Sequence, residues 1–590
     1  MVRRLGWIVF SASLYLCCTA QVTTPSVDLE YGLYTGIFNS SSGLNIWRGI
    51  RYAAPPVGSL RWQKPRVPAV NRSPIAANAF GPACPQAMPS MPGMPFISGN
   101  EDCLFLNVYA PAVKPSNSSL PVLVVIHGGG YGAGDGTQDM APFISTNGND
   151  LVAVTIQYRL GAFGFLASPE VKSRGVLNAG LLDQQFALQW VQKHIAKFGG
   201  DSSRVTIAGE SAGGGSVLLH AISQGGDTQA SLFKNLIAAS PWIPTQPYYN
   251  DTITSRHYND FASLVGCPSR GAVFDCLVSK DSLLLQYAAN IVSTNKPTPH
   301  GNWAFIPVTD GSYITGPPST ELFQSRTNGQ RLLVGNNANE GSLIPPSNVV
   351  TQPDLIAWIK SNFPNLSDTN VTNILAEYPS TGDPVDPAAA RYETDGYGPG
   401  TAVNISQVAT GQQQRCYASP PNIYAEASVI CPSYWFASSF AGNGRAAYHY
   451  QYSVPFAVHG ADISGYYGPP TENQSPDFVS AFRKIYGNFV KTGDPSLSNL
   501  DANGRSSLNP SAPNPASNWP PWSGTKPVLI NLNETGGTPY TIISSLGTPV
   551  TQFRGPGLHN NFTTADAYAW EGGRGRRCEF WRKISPFVPQ

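Results

Sequence analysis

Three short runs of apolar, mostly β-branched residues constrain the fold of this chain more than any other feature. They are Pro121–Ile126, Leu151–Ile156 and Val205–Ala208, and none contains a charged residue. Strands of this kind are buried on both faces, which is typical of parallel sheets covered by helices. The sequence therefore predicts an α/β fold with a mainly parallel central sheet flanked by helices.

The stretch between the second and third runs has the pattern of a crossover helix, ended by Gly199-Gly200. Its apolar residues recur at near-helical spacing at Leu181, Leu182, Phe186, Leu188, Val191 and Ile195. Arg331–Gly335 and Tyr448–Tyr452 are predicted to be further strands. Residues 499–526, rich in Pro, Asn and Ser, are predicted to be an irregular surface segment.

Charge and length limit the partners and the domain count. The chain has 590 residues, with 37 Lys and Arg against 36 Asp and Glu, and no long basic run. Nucleic acid is therefore not an expected partner. We find neither an internal repeat nor a linker, so residues 21–590 are predicted to form a single domain with large insertions.

Residues 1–20 are predicted to be a secretory signal peptide. Arg3 and Arg4 precede the apolar stretch Leu5–Cys18, and small residues follow up to Ala20. The apolar stretch is shorter than the ~20 residues that a membrane-spanning helix needs. No later stretch is predicted to span or anchor in a membrane, so we expect a secreted, extracellular protein.

Glycosylation signals and cysteines agree with the secretory route. Sequons of the N-x-S/T type with no proline directly after them, which are modified only in that route, occur at Asn39, Asn117, Asn250, Asn365, Asn370, Asn404, Asn533 and Asn561. Outside the signal peptide the cysteines are Cys84, Cys103, Cys267, Cys276, Cys416, Cys431 and Cys578. Because seven is odd, at least one thiol is unpaired or pairs between chains.

The pentapeptide Gly209-Glu-Ser-Ala-Gly213 carries the strongest chemical signal. It follows the predicted strand Val205–Ala208 and precedes the apolar helical pattern Ser216–Ile222. A serine in such a strand-to-helix turn projects its hydroxyl, and the flanking glycines let the backbone bend sharply. The helix N-terminus also favours a developing negative charge. Ser211 is therefore the candidate nucleophile, with an ordinary glycine-rich turn as the alternative.

A second glycine-rich turn, His127-Gly-Gly-Gly130, follows the predicted strand Pro121–Ile126. Acyl transfer needs N–H donors where the carbonyl oxygen becomes negative, and glycines allow a close approach of the backbone. Gly129 and Gly130 with Ala212 are the predicted oxyanion hole. A turn that serves only the fold is the alternative.

A serine nucleophile needs a base and an acid, which in this architecture follow it in the order acid, then histidine. The histidines after Ser211 are His220, His257, His300, His449, His459 and His559. His459 lies in a loop after the last predicted strand, and Glu340 lies in a polar turn after Arg331–Gly335. The residues alone leave both assignments open, because other histidines compete and Glu340 fits a solvated loop at least as well.

These motifs resemble the type-B carboxylesterase and lipase family, which includes the cholinesterases. The similar segments are Phe198–Gly213, Glu101–Pro111, Gln157–Phe165, Asn339–Gly341 and Val458–Gly460. The resemblance extends over nearly the whole mature chain and implies the α/β-hydrolase fold.

The same resemblance implies roles that the pattern leaves open. Glu340 and His459 become the acid and the base beside Ser211. Three disulfide bridges are implied, with Cys416 free: Cys84–Cys103, Cys267–Cys276 and Cys431–Cys578.

The implied substrates follow from the first disulfide loop. In cholinesterases this loop carries a tryptophan that holds a quaternary ammonium by cation–π attraction. Residues 84–103 contain none, so choline esters are not expected substrates. Met88, Met91 and Met94 form an apolar, adaptable rim or simply pack beneath the loop. Trp242 resembles the family's acyl-pocket segment, although it also fits a plain core position.

Together these implications predict a secreted serine hydrolase of carboxylic esters that forms an acyl-enzyme and needs no metal or organic cofactor. Small-molecule or lipid-like esters, apolar or of short to medium chain length, are the expected substrates, because true lipases of the family carry a longer flap. An interfacial lipase or sterol esterase remains an alternative. A non-catalytic adhesion protein of the same fold is a further one.

Overall fold

The computed structural model describes residues 24–91, 93–113, 119–226, 232–295, 298–341, 349, 351–378, 420–442, 444–543 and 549–588. The predicted signal peptide, Cys416, Asn117 and Asn404 lie outside the described residues. Within the described ranges, no helix has the length and apolar character needed to cross a membrane.

Sixteen strands form in the described part of the chain. They are β1 (Ser26–Asp28), β2 (Gly32–Thr35), β3 (Ile37–Asn39), β4 (Leu44–Arg51), β5 (Asn71–Ala76), β6 (Phe105–Pro111), β7 (Leu120–Ile126), β8 (Val152–Ile156), β9 (Gly200–Glu210), β10 (Asn235–Ala239), β11 (Arg331–Asn337), β12 (Ala446–Tyr452), β13 (Val528–Thr535), β14 (Thr538–Ile543), β15 (Pro549–Arg554) and β16 (His559–Asp566).

Eleven of these strands build the central sheet, in the order β16-β13-β12-β11-β10-β9-β7-β8-β6-β4-β3. Within this order, each strand from β13 to β8 is parallel to its neighbours in that stretch. The pairs at both edges are antiparallel. The predicted mainly parallel sheet is therefore confirmed, and the runs that predicted it are β7, β8 and the second half of β9.

Helices cover the sheet. They are α1 (Ala141–Thr146), α2 (Gly161–Phe165), α3 (Pro169–Arg174), α4 (Ala179–His194), α5 (Ala212–Ile222), α6 (Thr252–Leu264), α7 (Val273–Ser279), α8 (Ser282–Thr294), α9 (Pro318–Phe323), α10 (Gln352–Asn362), α11 (Asp368–Glu377), α12 (Pro420–Ala425), α13 (Cys431–Ser439), α14 (Ile463–Tyr466), α15 (Pro476–Thr492), α16 (Asn499–Asn503) and α17 (Trp570–Ile584).

Both faces of the sheet are buried, as strand β7 shows. Val122 and Val124 pack in one hydrophobic core, whereas Leu123 and Val125 pack in a second. Successive side chains of a strand point to opposite faces, so the two cores lie on the two sides of the sheet. This is why the strand sequence is apolar throughout and does not alternate.

The predicted crossover helix is α4, continued by a 3₁₀ turn at Ile195–Phe198 and ended by Gly199 at a φ of 88°. The prediction for residues 499–526 is wrong in part. Residues 499–503 form α16, and Trp519 and Trp522 are only 3% and 6% exposed. Trp522 donates its indole N–H to Ser438 Oγ at 3.0 Å. These aromatic side chains fasten the segment to the core.

The three disulfide bridges implied by the resemblance form in the structure: Cys84–Cys103, Cys267–Cys276 and Cys431–Cys578. The last joins α13 to α17. Because 147 residues separate its two cysteines, this bridge ties the C-terminal helix to the middle of the fold.

Candidate active site

The predicted site residues gather at one edge of the sheet. Ser211 follows β9, Glu340 lies three residues after β11, His459 lies in the loop after β12, and the glycine turn follows β7. Carboxyl ends of parallel strands meet at the same edge, which is where open α/β sheets hold their sites. Local sequence placed each residue at a strand end, and the sheet brings the ends together.

The turn at Ser211 needs its glycines. Ser211 has a φ of 57° and a ψ of −124°, outside the usual regions for a non-glycine residue. A Cβ on Gly209 would lie 2.3 Å from the Gly213 carbonyl carbon, and one on Gly213 would lie 2.1 Å from the Ile126 oxygen. Larger residues at either position would push the strand and helix apart, and the serine would lose its position.

Ser211, His459 and Glu340 form one hydrogen-bonded chain. Ser211 Oγ lies 2.7 Å from His459 Nε2, and His459 Nδ1 lies 2.5 Å from Glu340 Oε2. The imidazole therefore donates from Nδ1 to the carboxylate and accepts the serine hydroxyl at Nε2. The side chain of His459 stays 21% exposed, whereas that of Glu340 is fully buried. The base faces the solvent side and the acid lies behind it.

The other oxygen of Glu340 is held from the opposite side. Its Oε1 accepts the backbone N–H of Asn337 at 2.5 Å and the hydroxyl of Ser240 at 2.6 Å. Asn337 Nδ2 in turn donates to Ser240 Oγ and to Asp462 Oδ1, both at 3.1 Å. These donors orient the carboxyl group towards the imidazole.

Two more buried carboxyl groups surround His459. Glu210 Oε1 lies 3.5 Å from His459 Nε2, and burial raises the pKa of Glu210 to about 8. Burial also raises the pKa of Asp462, to about 6, with Glu340 adding to the effect. For His459, burial lowers the pKa, but the charges of Glu340 and Glu210 outweigh it and raise the pKa to about 9. The site therefore stabilises the imidazolium form of the base.

The predicted oxyanion turn lies directly against the nucleophile. Gly129 and Gly130 have φ values of 100° and 64°, which glycine adopts without strain. A Cβ on Gly128 would lie 3.1 Å from the Cβ of Ser211. A Cβ on Gly213 would lie 3.0 Å from the carbonyl of His127, so the turn also lies close to the first turn of α5, which begins at Ala212.

An aromatic wall closes this side. A Cβ on Gly130 would lie 2.3 Å from the ring of Trp303, so the indole packs flush against the turn. Trp303 donates its N–H to Ala87 O at 2.9 Å and meets Trp242 edge-to-face at 5.5 Å between ring centroids. Trp242 is 2% exposed and donates to Tyr424 Oη at 3.0 Å.

The three methionines of the first disulfide loop differ in exposure. Met88 is buried at 6%, Met91 is half-buried and Met94 is 37% exposed. The loop thus combines both interpretations offered by its sequence, since Met88 packs beneath it and Met94 lies on its rim.

Several neighbours of the triad are not among the residues that the sequence predicts for the site. Glu210 and Asp462 stand in the same short motifs as Ser211 and His459, so a search for carboxyl groups beside the predicted residues would have found them. Ser240 and Asn337 lie at the ends of neighbouring strands β10 and β11. Trp303 lies in an irregular segment whose sequence has no pattern that points to the site.

The competing histidines with structural partners include His220 and His449. His220 Nδ1 contacts Tyr313 Oη at 2.7 Å, and His449 Nε2 contacts Ser433 Oγ at 2.9 Å. Both are buried inside the protein. Within the described ranges, no group of three or more His, Cys, Asp or Glu side chains is arranged to hold a metal ion.

The sequons differ in access. Asn250, Asn365 and Asn561 are exposed, and Asn39 and Asn370 are partly exposed. Asn533 is only 4% exposed, inside β13, and its side chain accepts the N–H of Glu534. In the folded structure the Asn533 side chain is therefore not accessible for glycosylation, contrary to the expectation from its sequon.

The sheet, the strand-to-helix serine turn and the two later loops define an α/β-hydrolase. Comparison with known proteins agrees. The model of the carboxylesterase family matches residues 23–541, and the chain belongs to that family. It is an ester hydrolase by family.

Similar curated proteins are fungal lipases. Lipase 5 of Diutina rugosa is 32% identical over 369 residues, which is 57% of this chain and 67% of that protein. Secreted lipase 4 of Gibberella zeae is 28% identical over 468 residues, 77% of this chain and 80% of that protein.

Similar solved structures are esterases. The crystal structure of Aspergillus niger EstA matches with a TM-score of 0.72 and 26% sequence identity. The match covers 96% of this chain and 99% of the EstA chain. A PNB esterase has a TM-score of 0.67 at 25% identity and covers 86% and 96%, respectively.

Proposed function

We propose that this chain hydrolyses carboxylic esters through an acyl-enzyme formed on Ser211. The observation that carries the proposal is the continuous chain from Ser211 Oγ through the His459 ring to Glu340, with links of 2.7 and 2.5 Å. A hydroxyl bonded to an imidazole that is backed by a buried carboxyl group can lose its proton as it attacks.

The reaction has two halves. Ser211 Oγ bonds to the ester carbonyl carbon while its proton passes to His459 Nε2, and the N–H groups of Gly129, Gly130 and Ala212 stabilise the oxyanion. This attack gives a tetrahedral intermediate. When it collapses, the bond between the carbonyl carbon and the alcohol oxygen breaks, and the alcohol leaves with the proton from His459. Water then repeats the sequence on the acyl-enzyme, so that the acid is released and the serine hydroxyl is restored.

The pocket walls favour an apolar acyl group. Trp242 and Trp303 stand beside the oxyanion turn, and Met88 and Met94 come from the neighbouring loop. From these apolar side chains we infer a preference for apolar esters of short to medium chain length. Because the similar curated proteins are named lipases, water-insoluble esters are a second candidate class of substrate.

Exchange of the nucleophile tests the proposal. Ser211→Ala should lower kcat on p-nitrophenyl butyrate by about 10⁴-fold or more, with an unchanged thermal midpoint. A fluorophosphonate should label the wild type once per chain and leave the variant unlabelled. Turnover by the variant at the wild-type rate would refute the assignment.

We also propose that the protein is secreted. The predicted signal peptide, the exposed sequons and the secreted relative support this. Expression in a eukaryotic host should yield protein in the medium that begins at Gln21 and loses mass on treatment with an N-glycosidase. Retention of the full-length chain inside the cell would contradict it.

A further inference from the structure

Tyr424 carries a buried hydroxyl that joins the two indoles of the aromatic wall. The wall consists of Trp242 and Trp303, which meet edge-to-face beside the oxyanion turn. Trp242 donates its indole N–H to Tyr424 Oη at 3.0 Å, and Tyr424 donates its own hydroxyl to Asn302 Oδ1 at 2.6 Å. Because Asn302 directly precedes Trp303 in the chain, one hydroxyl holds the first indole directly and the second through its neighbour.

The hydrogen bonds continue from Asn302 into helix α10. Asn302 Nδ2 donates to Asn362 Oδ1 at 3.0 Å, and Asn362 Nδ2 donates to Trp358 O at 3.0 Å. The segment after β10, helices α10 and α12, and the irregular segment that carries the second indole are therefore joined by one set of side chains. We call this set the wall relay: Trp242, Tyr424, Asn302 and Asn362.

Each polar atom of the wall relay has one possible role. An indole N–H only donates, so Tyr424 Oη accepts that bond and its own proton goes to Asn302. The Asn302 side chain therefore turns its oxygen to Tyr424 and its nitrogen to Asn362. Burial raises the pKa of Tyr424 well above its usual range, so the hydroxyl keeps the proton that it donates. The relay thus has the same arrangement at every pH used to assay ester hydrolysis.

Most of the wall relay is buried. Trp242 and Tyr424 are each 2% exposed and Asn362 is 6% exposed, whereas Asn302 is partly buried. Loss of the Tyr424 hydroxyl would remove the partner of the Trp242 N–H and of the Asn302 side-chain oxygen. Because unpaired polar groups in the interior are costly, both groups would shift towards new partners.

The wall has room to move in one direction only. A Cβ on Gly130 would lie 2.3 Å from the ring of Trp303, so that indole already lies against the oxyanion turn. The Trp242 backbone N–H donates to Ser211 O at 3.0 Å, which keeps the base of the other indole next to the nucleophile. A released wall therefore moves away from the turn and enlarges the space beside it.

We propose that Tyr424 determines acyl-chain selectivity as a positioning residue, by holding Trp242 and Trp303 close to the oxyanion turn through the wall relay. This inference rests on the proposed ester hydrolysis. It means that a hydroxyl that bonds to the wall, and not to the substrate, restricts the pocket to shorter acyl chains.

Tyr424→Phe removes the hydroxyl and keeps the ring. The ratio of kcat/KM for p-nitrophenyl octanoate over acetate should rise about fivefold or more above the wild type, through a lower KM for octanoate. Tyr434→Phe is the matched control. Tyr434 is also buried, and its hydroxyl has no hydrogen-bond partner among the described residues, so this variant should keep the wild-type ratio.

A second variant tests the wall relay from its other side. Asn302→Ala removes the acceptor of the Tyr424 hydroxyl and should raise the same ratio. The double variant should change the ratio by less than the product of the two single changes, because both break one link. If Tyr424→Phe does not fold, Asn302→Ala decides the question. A lower thermal midpoint with an unchanged ratio, or an equal shift in Tyr434→Phe, would overturn the proposal.

A binding arm requires no catalysis. In the Ser211→Ala background, calorimetry gives the dissociation constants of N-methylbutanamide and N-methyloctanamide, which are uncharged analogues of the esters. Adding Tyr424→Phe should increase the preference for the longer amide by about fivefold or more, because more methylenes become buried. An unchanged preference would count against the wall relay. Equal ester hydrolysis by the wild type and Ser211→Ala would count against the proposed function alone, so the two failures are distinguishable.

Discussion

Glu210 Oε1 lies 3.5 Å from His459 Nε2, the same ring atom that accepts the hydroxyl of Ser211. A buried carboxyl group at this place raises the pKa of the base beyond what Glu340 does alone. A histidine base accepts a proton only when it is neutral, so activity increases as the pH rises through the pKa of His459.

Replacement of Glu210 by glutamine should therefore shift the pH profile. Removing one of the charges that raise the pKa of His459 lowers that pKa, and the rising limb of kcat/KM against pH moves to lower pH. The profile is measured from pH 5 to 10. Glu534→Gln, at another buried carboxyl, serves as the control and should leave the limb in place. A limb that stays or moves upward in Glu210→Gln would contradict this role.

Ser240 is expected to position the acid. Its hydroxyl donates to Glu340 Oε1 at 2.6 Å, and a hydrogen bond to a charged group contributes ~1.5–3 kcal/mol. Ser240→Ala should lower kcat by about tenfold or more and leave KM nearly unchanged, because Ser240 bonds to the acid and not to the substrate. Ser439→Ala, also buried and bonded to a backbone carbonyl, is the matched control. An unaltered kcat in Ser240→Ala would contradict this role, because the backbone N–H of Asn337 would then be sufficient to hold Glu340 in position.

Trp303 is expected to limit the acyl chain. Its ring packs on Gly130 and on Trp242, so truncation opens space next to the oxyanion turn. Trp303→Ala should raise the ratio of kcat/KM for p-nitrophenyl octanoate over acetate, by about tenfold if one to two methylenes gain contact. The measurement is an ester series from acetate to palmitate, with the thermal midpoint as a check on folding. An unchanged preference would place the acyl chain elsewhere.

Glu101 is expected to matter for stability and not for chemistry. It forms two hydrogen bonds with the Arg61 guanidinium, at 2.6 and 2.7 Å, and both side chains are buried. Glu101→Ala leaves a buried cation without its partner, which costs about 3–5 kcal/mol. Thermal unfolding should show a clearly lower midpoint, with kcat retained on the folded enzyme. By comparison, Asp28→Ala breaks an exposed pair with Arg72 and should change the midpoint little.

Much of the site could be anticipated because its parts are local. The turn around Ser211 and the glycines before Tyr131 depend on backbone conformations that only certain residues adopt, and such requirements appear directly in the sequence. The buried strands were equally visible, since a strand covered on both faces is apolar throughout.

The remaining parts depend on contacts between residues far apart in the chain. His459 lies 248 residues from Ser211 and 119 from Glu340, and nothing in the immediate context of either partner selects it over other histidines. Family resemblance supplied that choice, and the parallel sheet supplies its physical basis by aligning the ends of β9, β11 and β12. Trp519 and Trp522 show the same limit of prediction from sequence. They lie in a segment rich in Pro, Asn and Ser, and only the folded core provides the contacts that bury their rings.

What the sequence by itself determined is therefore the set of local conformations: the buried strands, the crossover helix, the serine turn and the glycine turn. The tertiary structure alone decided which side chains meet, including Glu210 and Asp462 around the base, Trp303 over the oxyanion turn, and Tyr424 between Trp242 and Asn302. The physical reason is that backbone preferences act between neighbours in sequence, whereas charge, burial and packing act between neighbours in space.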